Sequence, residues 1–252
     1  MIGRWWRRER QARYVLPPGL RAYAVGDVHG RADLLAPMLD WIREDSAARG
    51  GYPEVHVVFL GDLIDRGPGS AAVISMLASG RGAFGERHFI RGNHEQTLLD
   101  ILDGDWARAD DWLAVGGAET LLSYGVDPAL FLRDPEAFRR AMRDSIPGLH
   151  VAFLRRMERW LRLGDYLFVH AGIRPRVALE EQSDRDLRWI RGDFLDSRVD
   201  HGMMVVHGHT ISARAEFRAN RIGIDTGAYA SNRLTVLGLE EDRRWLLTSR
   251  LD

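Results

Sequence analysis

The chain has 252 residues, is 45% hydrophobic, and sets 35 basic residues against 36 acidic ones for a formal charge of −1. That length can bury the core of one α/β domain, and the charge balance argues against a globally basic nucleic-acid binder. Every basic residue is arginine and cysteine is absent, which excludes a lysine Schiff base, a P-loop lysine, disulfides, thiolate metal sites and a cysteine nucleophile.

Residues 1–13 are an arginine-rich arm carrying Trp5 and Trp6. Such an arm can dock on an anionic surface or a partner, but a short tail that packs or frays is the preferred reading. Its arginines interrupt any secretory h-region, and no apolar run approaches the roughly 18 residues of a membrane span, so a cytoplasmic location is expected. Residues 14–252 are expected to form a single domain. Residues 20–25 read as a strand, and residues 32–45 as a helix with Leu35, Met38, Leu39 and Ile42 at helical spacing. Residues 55–60 read as a buried strand, residues 70–79 as a helix, and residues 88–90 as a short strand. This alternation predicts an α/β fold of parallel strands with crossover helices, whose ligand groups gather outside the carboxyl ends of the strands. Residues 96–164 read as a helical insertion beside the site, broken at Gly116-Gly117, Gly125, Pro128 and Pro147-Gly148. Strands then dominate, at 166–169, 203–206, 221–224, 234–239 and 245–248.

Three polar clusters follow the first three strands: Gly26-Asp27-Val28-His29-Gly30, Gly61-Asp62-Leu63-Ile64-Asp65-Arg66-Gly67 and Gly92-Asn93-His94-Glu95. His170 and His209 each follow a later apolar run. Taken singly, Asp27, His29, Asp62, Asn93, His170 and His209 are ordinary turn or capping residues. Together they are six hard or borderline ligands at one sheet edge, enough for two cations sharing the Asp62 carboxylate. Two divalent cations less the charges of Asp27 and Asp62 leave a site that suits a phosphate dianion. The pattern implies a dinuclear metallohydrolase for phosphate esters. His94 cannot easily share a metal with adjacent Asn93, because neighbouring side chains diverge, so it is free to face substrate as a general acid.

These motifs, with residues 61–68 and 91–95, Val169-His170-Ala171-Gly172 and Gly208-His209-Thr210, occur in the order that resembles the calcineurin-like metallophosphoesterases. Within them the chain is similar to the PPP-type phosphoprotein phosphatases, particularly the small bacterial and phage forms. The resemblance runs from about residue 25 to 210. It implies a two-sheet β-sandwich flanked by helices, α-β-β-α, with the metals at the sandwich edge. By the same resemblance Asp27, His29 and bridging Asp62 would hold the first metal, and Asn93, His170 and His209 would complete the second. His94 would protonate the leaving oxygen, oriented by Asp65. Arg66 would grip the phosphate with a second arginine, for which Trp189-Ile190-Arg191 offers Arg191. The implied reaction is phosphomonoester hydrolysis by direct attack of a metal-bridging hydroxide, without a covalent phosphoenzyme. Manganese is the preferred metal, with iron–zinc as another pair. Protein phosphoserine and phosphothreonine come first as substrate, a symmetrical dinucleoside tetraphosphate second and a phosphodiester third. The third ranks last because Ile211 stands where a second metal-binding histidine would be. A docking module that has lost turnover would show a damaged ligand set, and every ligand type is present.

The remaining polar residues receive plainer readings. His56, His88, His150 and His201 lack motif context and read as ordinary strand, helix or loop residues. His207 reads as a neighbour of the ligands, Arg91 as structural and Glu95 as a buttress of the following helix. Asp225-Thr226-Gly227 follows a strand and could offer another carboxylate, but with the ligand set complete it reads as a neighbour of the ligands or a plain turn.

Overall fold

The computed structural model describes residues 14–51, 54–80 and 84–249; the expected arm at 1–13 lies outside them. Ten strands form two five-stranded sheets among the described residues. In the first, β1 (Leu20–Val25), β2 (Glu54–Phe59) and β3 (Glu86–Phe89) run parallel, and antiparallel β9 (Thr235–Glu240) and β10 (Arg243–Thr248) complete the order β10-β9-β1-β2-β3. The second contains β4 (Trp160–Leu163), β5 (Tyr166–Val169), β6 (Met204–His207), β7 (Glu216–Phe217) and β8 (Arg221–Gly223) in the order β4-β5-β6-β8-β7. Its central strands β5, β6 and β8 are parallel.

Alternation along the strands explains the layers. Tyr23, Val25, Val57 and Phe59 face helices α1 (Ala32–Ala48) and α2 (Ser70–Ala78) in one cluster. Ala22, Ala24, Val58 and Leu60 point the other way, against Tyr166, Phe168 and Val206 of the second sheet. Leu167, Val169 and Val205 face outward onto Leu187, Ile190 and Phe194. Central strands are therefore apolar on both faces, as parallel strands covered on both sides must be. The result is the sandwich flanked by helices that the motifs imply.

Most elements lie within one to three residues of their expected ends, the usual scatter at element ends. Two strands fall outside the expected set, the two-residue edge strand β7 and β4. The stretch 96–164 does carry helices, from α3 (Asn93–Leu102) through Gly148–Arg155, but it closes with β4. That strand pairs antiparallel with β5 across Gly164-Asp165, a two-residue hairpin with Gly164 at φ +55°. Gly-Asp between apolar runs is a hairpin signal, overlooked because helical spacing dominates the preceding residues. Among the described residues no helix is long and apolar enough to cross a membrane.

Phe168 is fully buried between the sheets, so Phe168→Ala is expected to cost about 3–5 kcal/mol. Urea denaturation monitored by far-UV circular dichroism measures this directly.

Candidate metal centre

The expected ligands sit just past the carboxyl ends of parallel strands. Asp27 and His29 follow β1, Asp62 follows β2, and Asn93 and His94 open α3 directly after β3; His170 follows β5 and His209 follows β6. The first two loops are stitched together, with the Val28 and His29 amides donating to Asp62 O at 3.1 and 2.8 Å and the Gly30 amide to Leu63 O at 2.9 Å. They turn sharply: His29, Asp62, Asp65, Arg66 and His209 all have left-handed φ, between +46° and +71°. Such backbone costs about 1–3 kcal/mol per non-glycine residue and persists only where its surroundings over-determine it. Glu95 does much of the determining. Its buried carboxylate accepts from the amides of Asp62 at 3.0 Å, Leu63 at 2.6 Å and Gly92 at 2.9 Å. The expected buttress of α3 thus also fixes the Asp62 loop.

Asp62 is the point of convergence. Its Oδ2 lies 3.4 Å from His170 Nε2, 3.7 Å from His29 Nε2 and 3.9 Å from His94 Nε2. Its Oδ1 accepts from the His94 amide at 3.1 Å. His170 Nε2 is also 2.9 Å from Asn93 Oδ1 and 3.2 Å from His209 Nδ1. Asp27 joins through Oδ2, which accepts from the His209 amide at 3.0 Å. All six expected ligands are therefore drawn together.

Several observations fit divalent cations here. His29 Nδ1 donates to Ile64 O at 2.9 Å and His170 Nδ1 to Leu60 O at 2.8 Å, so both rings turn an Nε2 lone pair toward Asp62, the orientation metal-binding imidazoles take. Asp27 Oδ1 and His209 Nε2 are buried without a hydrogen-bond partner, a costly state that a cation would relieve. Donor atoms of Asp62, His170 and His209 lie within 4.8 Å of one another, as do those of His29, Asp62 and His94. The second grouping contains His94 where Asp27 was expected, but both His94 nitrogens already face Asp65 and Arg66, so Asp27 Oδ1 is the better donor.

The electrostatics point the same way. Burial raises Asp27 well above the usual carboxylate range, reinforced by Asp225 and Asp62. Asp225, expected to sit beside the ligands or simply to shape a turn, is a further buried carboxylate whose pKa burial and Asp62 push up to about 6. Burial would raise Asp62 too, but His170 and His94 outweigh it and hold Asp62 well below the usual range. Burial lowers His29 to about 3 and, with His170, His209 to about 2, leaving neutral imidazoles. For His170 burial is outweighed by Asp62, which draws it upward. A cation would take the place of the proton Asp62 attracts.

Beside this cluster His94 Nδ1 donates to Asp65 Oδ2 at 2.6 Å. Trp112 Nε1 donates to the same oxygen at 2.8 Å, and Thr120 Oγ1 to Asp65 Oδ1 at 2.6 Å. Burial alone would strip the proton from His94; Asp62 and Asp65 outweigh it and raise the pKa to about 9. Arg66 Nη2 lies 3.2 Å from His94 Nε2. Arg191 reaches Thr210 Oγ1 at 3.0 Å, next to His209. Sequence reasoning missed Trp112, Thr120 and Tyr229. The first two come from the 96–164 stretch, where the Gly116-Gly117 break was their trace: Gly116 at φ +118° packs on Arg66 and accepts its amide at 3.0 Å. Tyr229 stacks edge-on to His29, with the Arg66 guanidinium 4.8 Å over its ring. His207 turns away, toward Arg221 at 3.4 Å and the Phe194 ring.

Residues 20–236 match the family model for calcineurin-like phosphoesterases. The chain belongs to that family. The family uses dinuclear metal centres, and the His/Asp clusters described above could hold them. A symmetrical bis(5'-nucleosyl)-tetraphosphatase of Janthinobacterium sp. (strain Marseille) is 30% identical over 62% of this chain, a match spanning 45% of that relative. The asymmetrical bis(5'-nucleosyl)-tetraphosphatase PrpE of Bacillus velezensis is 27% identical, over 84% of this chain and 86% of its own length. A cold-active protein tyrosine phosphatase shares the fold, with TM-score 0.60 at 20% identity over 91% of this chain and 78% of that one.

Gly208 is required because any Cβ there would overlap Asp27 Oδ1. Gly208→Ala is expected to weaken manganese binding about 10–100-fold, the usual effect of disturbing a ligand's support, with the far-UV spectrum retained. Isothermal titration of chelator-stripped protein measures the change.

Proposed function

We propose that the chain hydrolyses phosphate ester or anhydride bonds at a two-cation centre held by Asp27, His29, Asp62, Asn93, His170 and His209. The observation that carries this is the Asp62 carboxylate, whose Oδ2 meets imidazole nitrogens of two separate sheets within 3.7 Å. When bound, a pair of divalent cations supplies water of lowered pKa and draws charge from the phosphoryl oxygens. Manganese remains the preferred assay metal.

The side chains supply the rest. Arg66 and Arg191 present guanidinium forks that suit non-bridging phosphate oxygens. His94 holds a proton on Nε2, next to Arg66; two donors side by side call for an anion between them. That proton passes to the departing oxygen. Asp65 keeps the imidazole charged and oriented through Nδ1, while Trp112 and Thr120 keep Asp65 facing the ring.

For substrate, dinucleoside tetraphosphates move ahead of phosphoserine and phosphothreonine. Support comes from relatives of that name, one aligned over 84% of the chain. Tyr229 and Trp189, 36% and 43% exposed beside His29 and His209, also offer rings on which a nucleobase can stack. The protein-phosphatase reading stays second, supported by the guanidinium groups of Arg66 beside His94 and of Arg191 beside Thr210.

His94→Ala is expected to lower kcat on p-nitrophenyl phosphate with manganese about 10²–10⁴-fold without changing metal content; wild-type turnover contradicts the acid role. Asp65→Asn removes a cause of the raised His94 pKa, so the proton leaves at lower pH. The alkaline limb of the kcat profile is then expected to move to lower pH, because Asp65 no longer favours the protonated ring. Diadenosine tetraphosphate is expected to outcompete a phosphothreonine peptide, and chromatography of its products separates symmetrical cleavage (two ADP) from asymmetrical cleavage (ATP and AMP).

A further inference from the structure

At the opposite end of β2 and β3 lies a second cluster that the phosphoesterase centre does not use. Pairing sets His56 across from Glu86 and Val58 across from His88. Residues two apart on a strand share a face, so Glu54, His56, Glu86 and His88 all emerge on the side turned toward the second sheet. A rise of about 3.3 Å per residue places His56 roughly 20 Å from Asp62 along the strand.

His56 Nδ1 lies 2.9 Å from His88 Nε2. One Glu86 oxygen is 3.9 Å from His56 Nδ1, and the other is 3.7 Å from His88 Nε2. Ligands held about 2.0–2.2 Å from one ion can be no more than roughly 4.4 Å apart, so one cation can reach all three residues. The outer nitrogens both face carboxylates: His56 Nε2 is hydrogen-bonded to Glu54 Oε1 at 2.9 Å, and His88 Nδ1 makes a looser ion-pair contact of 3.4 Å with Glu158 Oε1. The Glu54 carboxylate behind His56 fixes that ring and strengthens its inward lone pair. The His56 and His88 side chains are only 5% and 12% exposed, while Glu86 at 64% borders solvent and leaves an entry path.

We propose that His56, Glu86 and His88 form a further cation site that takes a borderline divalent transition metal, zinc being the probe of choice. Two imidazoles and one carboxylate are the donors such ions favour over magnesium or calcium. Bound there, the ion ties edge strand β3 to β2 and joins both to the segment carrying Glu158. It does so without touching the catalytic loops.

The test compares chelator-stripped full-length wild type with Glu86→Ala, His88→Ala and Glu54→Gln. Each is titrated with zinc against a chromophoric chelator and assayed separately for p-nitrophenyl phosphate turnover with manganese. Wild type is expected to bind one more zinc equivalent than Glu86→Ala and His88→Ala, and Glu54→Gln to bind it about 10–100-fold more weakly, with manganese-supported turnover unchanged throughout. Glu86→Ala alters a largely exposed side chain, so it keeps the comparison valid if His88→Ala does not fold. Equal zinc stoichiometry and affinity in wild type and Glu86→Ala overturns the proposal. So does a zinc-edge anomalous map of the wild-type crystal with no peak between His56 Nδ1 and His88 Nε2.

Discussion

Burying the Asp62 carboxylate is the constraint around which the rest of this molecule is arranged. A charged carboxylate removed from water is costly unless opposite charge and hydrogen bonds compensate. Here the compensation comes from two directions. The backbone of α3 donates to Oδ1 through the His94 amide, and histidines from both sheets approach Oδ2. With Asp27 and Asp225 also buried nearby, the chain's own groups leave a concentration of negative charge that divalent cations would balance. The left-handed turns at His29, Asp62 and His209 are the backbone's contribution to that convergence, and Glu95 holds the Asp62 loop in place.

Sandwich architecture makes the convergence possible. Parallel strands in each sheet end at the same edge, so loops separated by more than a hundred residues meet there. The 96–164 stretch has a second part in the site. Through Trp112 and Thr120 it orients Asp65, and through Gly116 it supports Arg66. A segment without recognisable ligands thus positions the groups that would manage proton and phosphate.

Legibility in the sequence followed how local each feature is. Strands β1, β2 and β5 and the loops after them carry glycines and polar residues at fixed short spacing, so those segments could be read directly. Convergence of His170 and His209 on Asp62 rests on topology, which the β-motif-α alternation could suggest. Trp112, Thr120 and Tyr229 were out of reach because single apolar or hydroxyl residues acquire meaning only through their tertiary partners. Asp225 reads from the sequence as either a turn or a neighbour of the ligands, and only its burial beside Asp27, again a tertiary property, decides between them. His56 and His88 likewise looked ordinary, since a parallel pairing register, invisible along one strand, is what faces them.

Anomalous diffraction at the manganese edge from a crystal grown with manganese tests the central claim most directly. The account predicts two peaks about 3.5–4 Å apart, one on each side of Asp62 Oδ2, reached by His29 on one flank and by His170 and His209 on the other. A map with no manganese next to Asp62, or with a single ion that leaves His170 and His209 unligated, contradicts it.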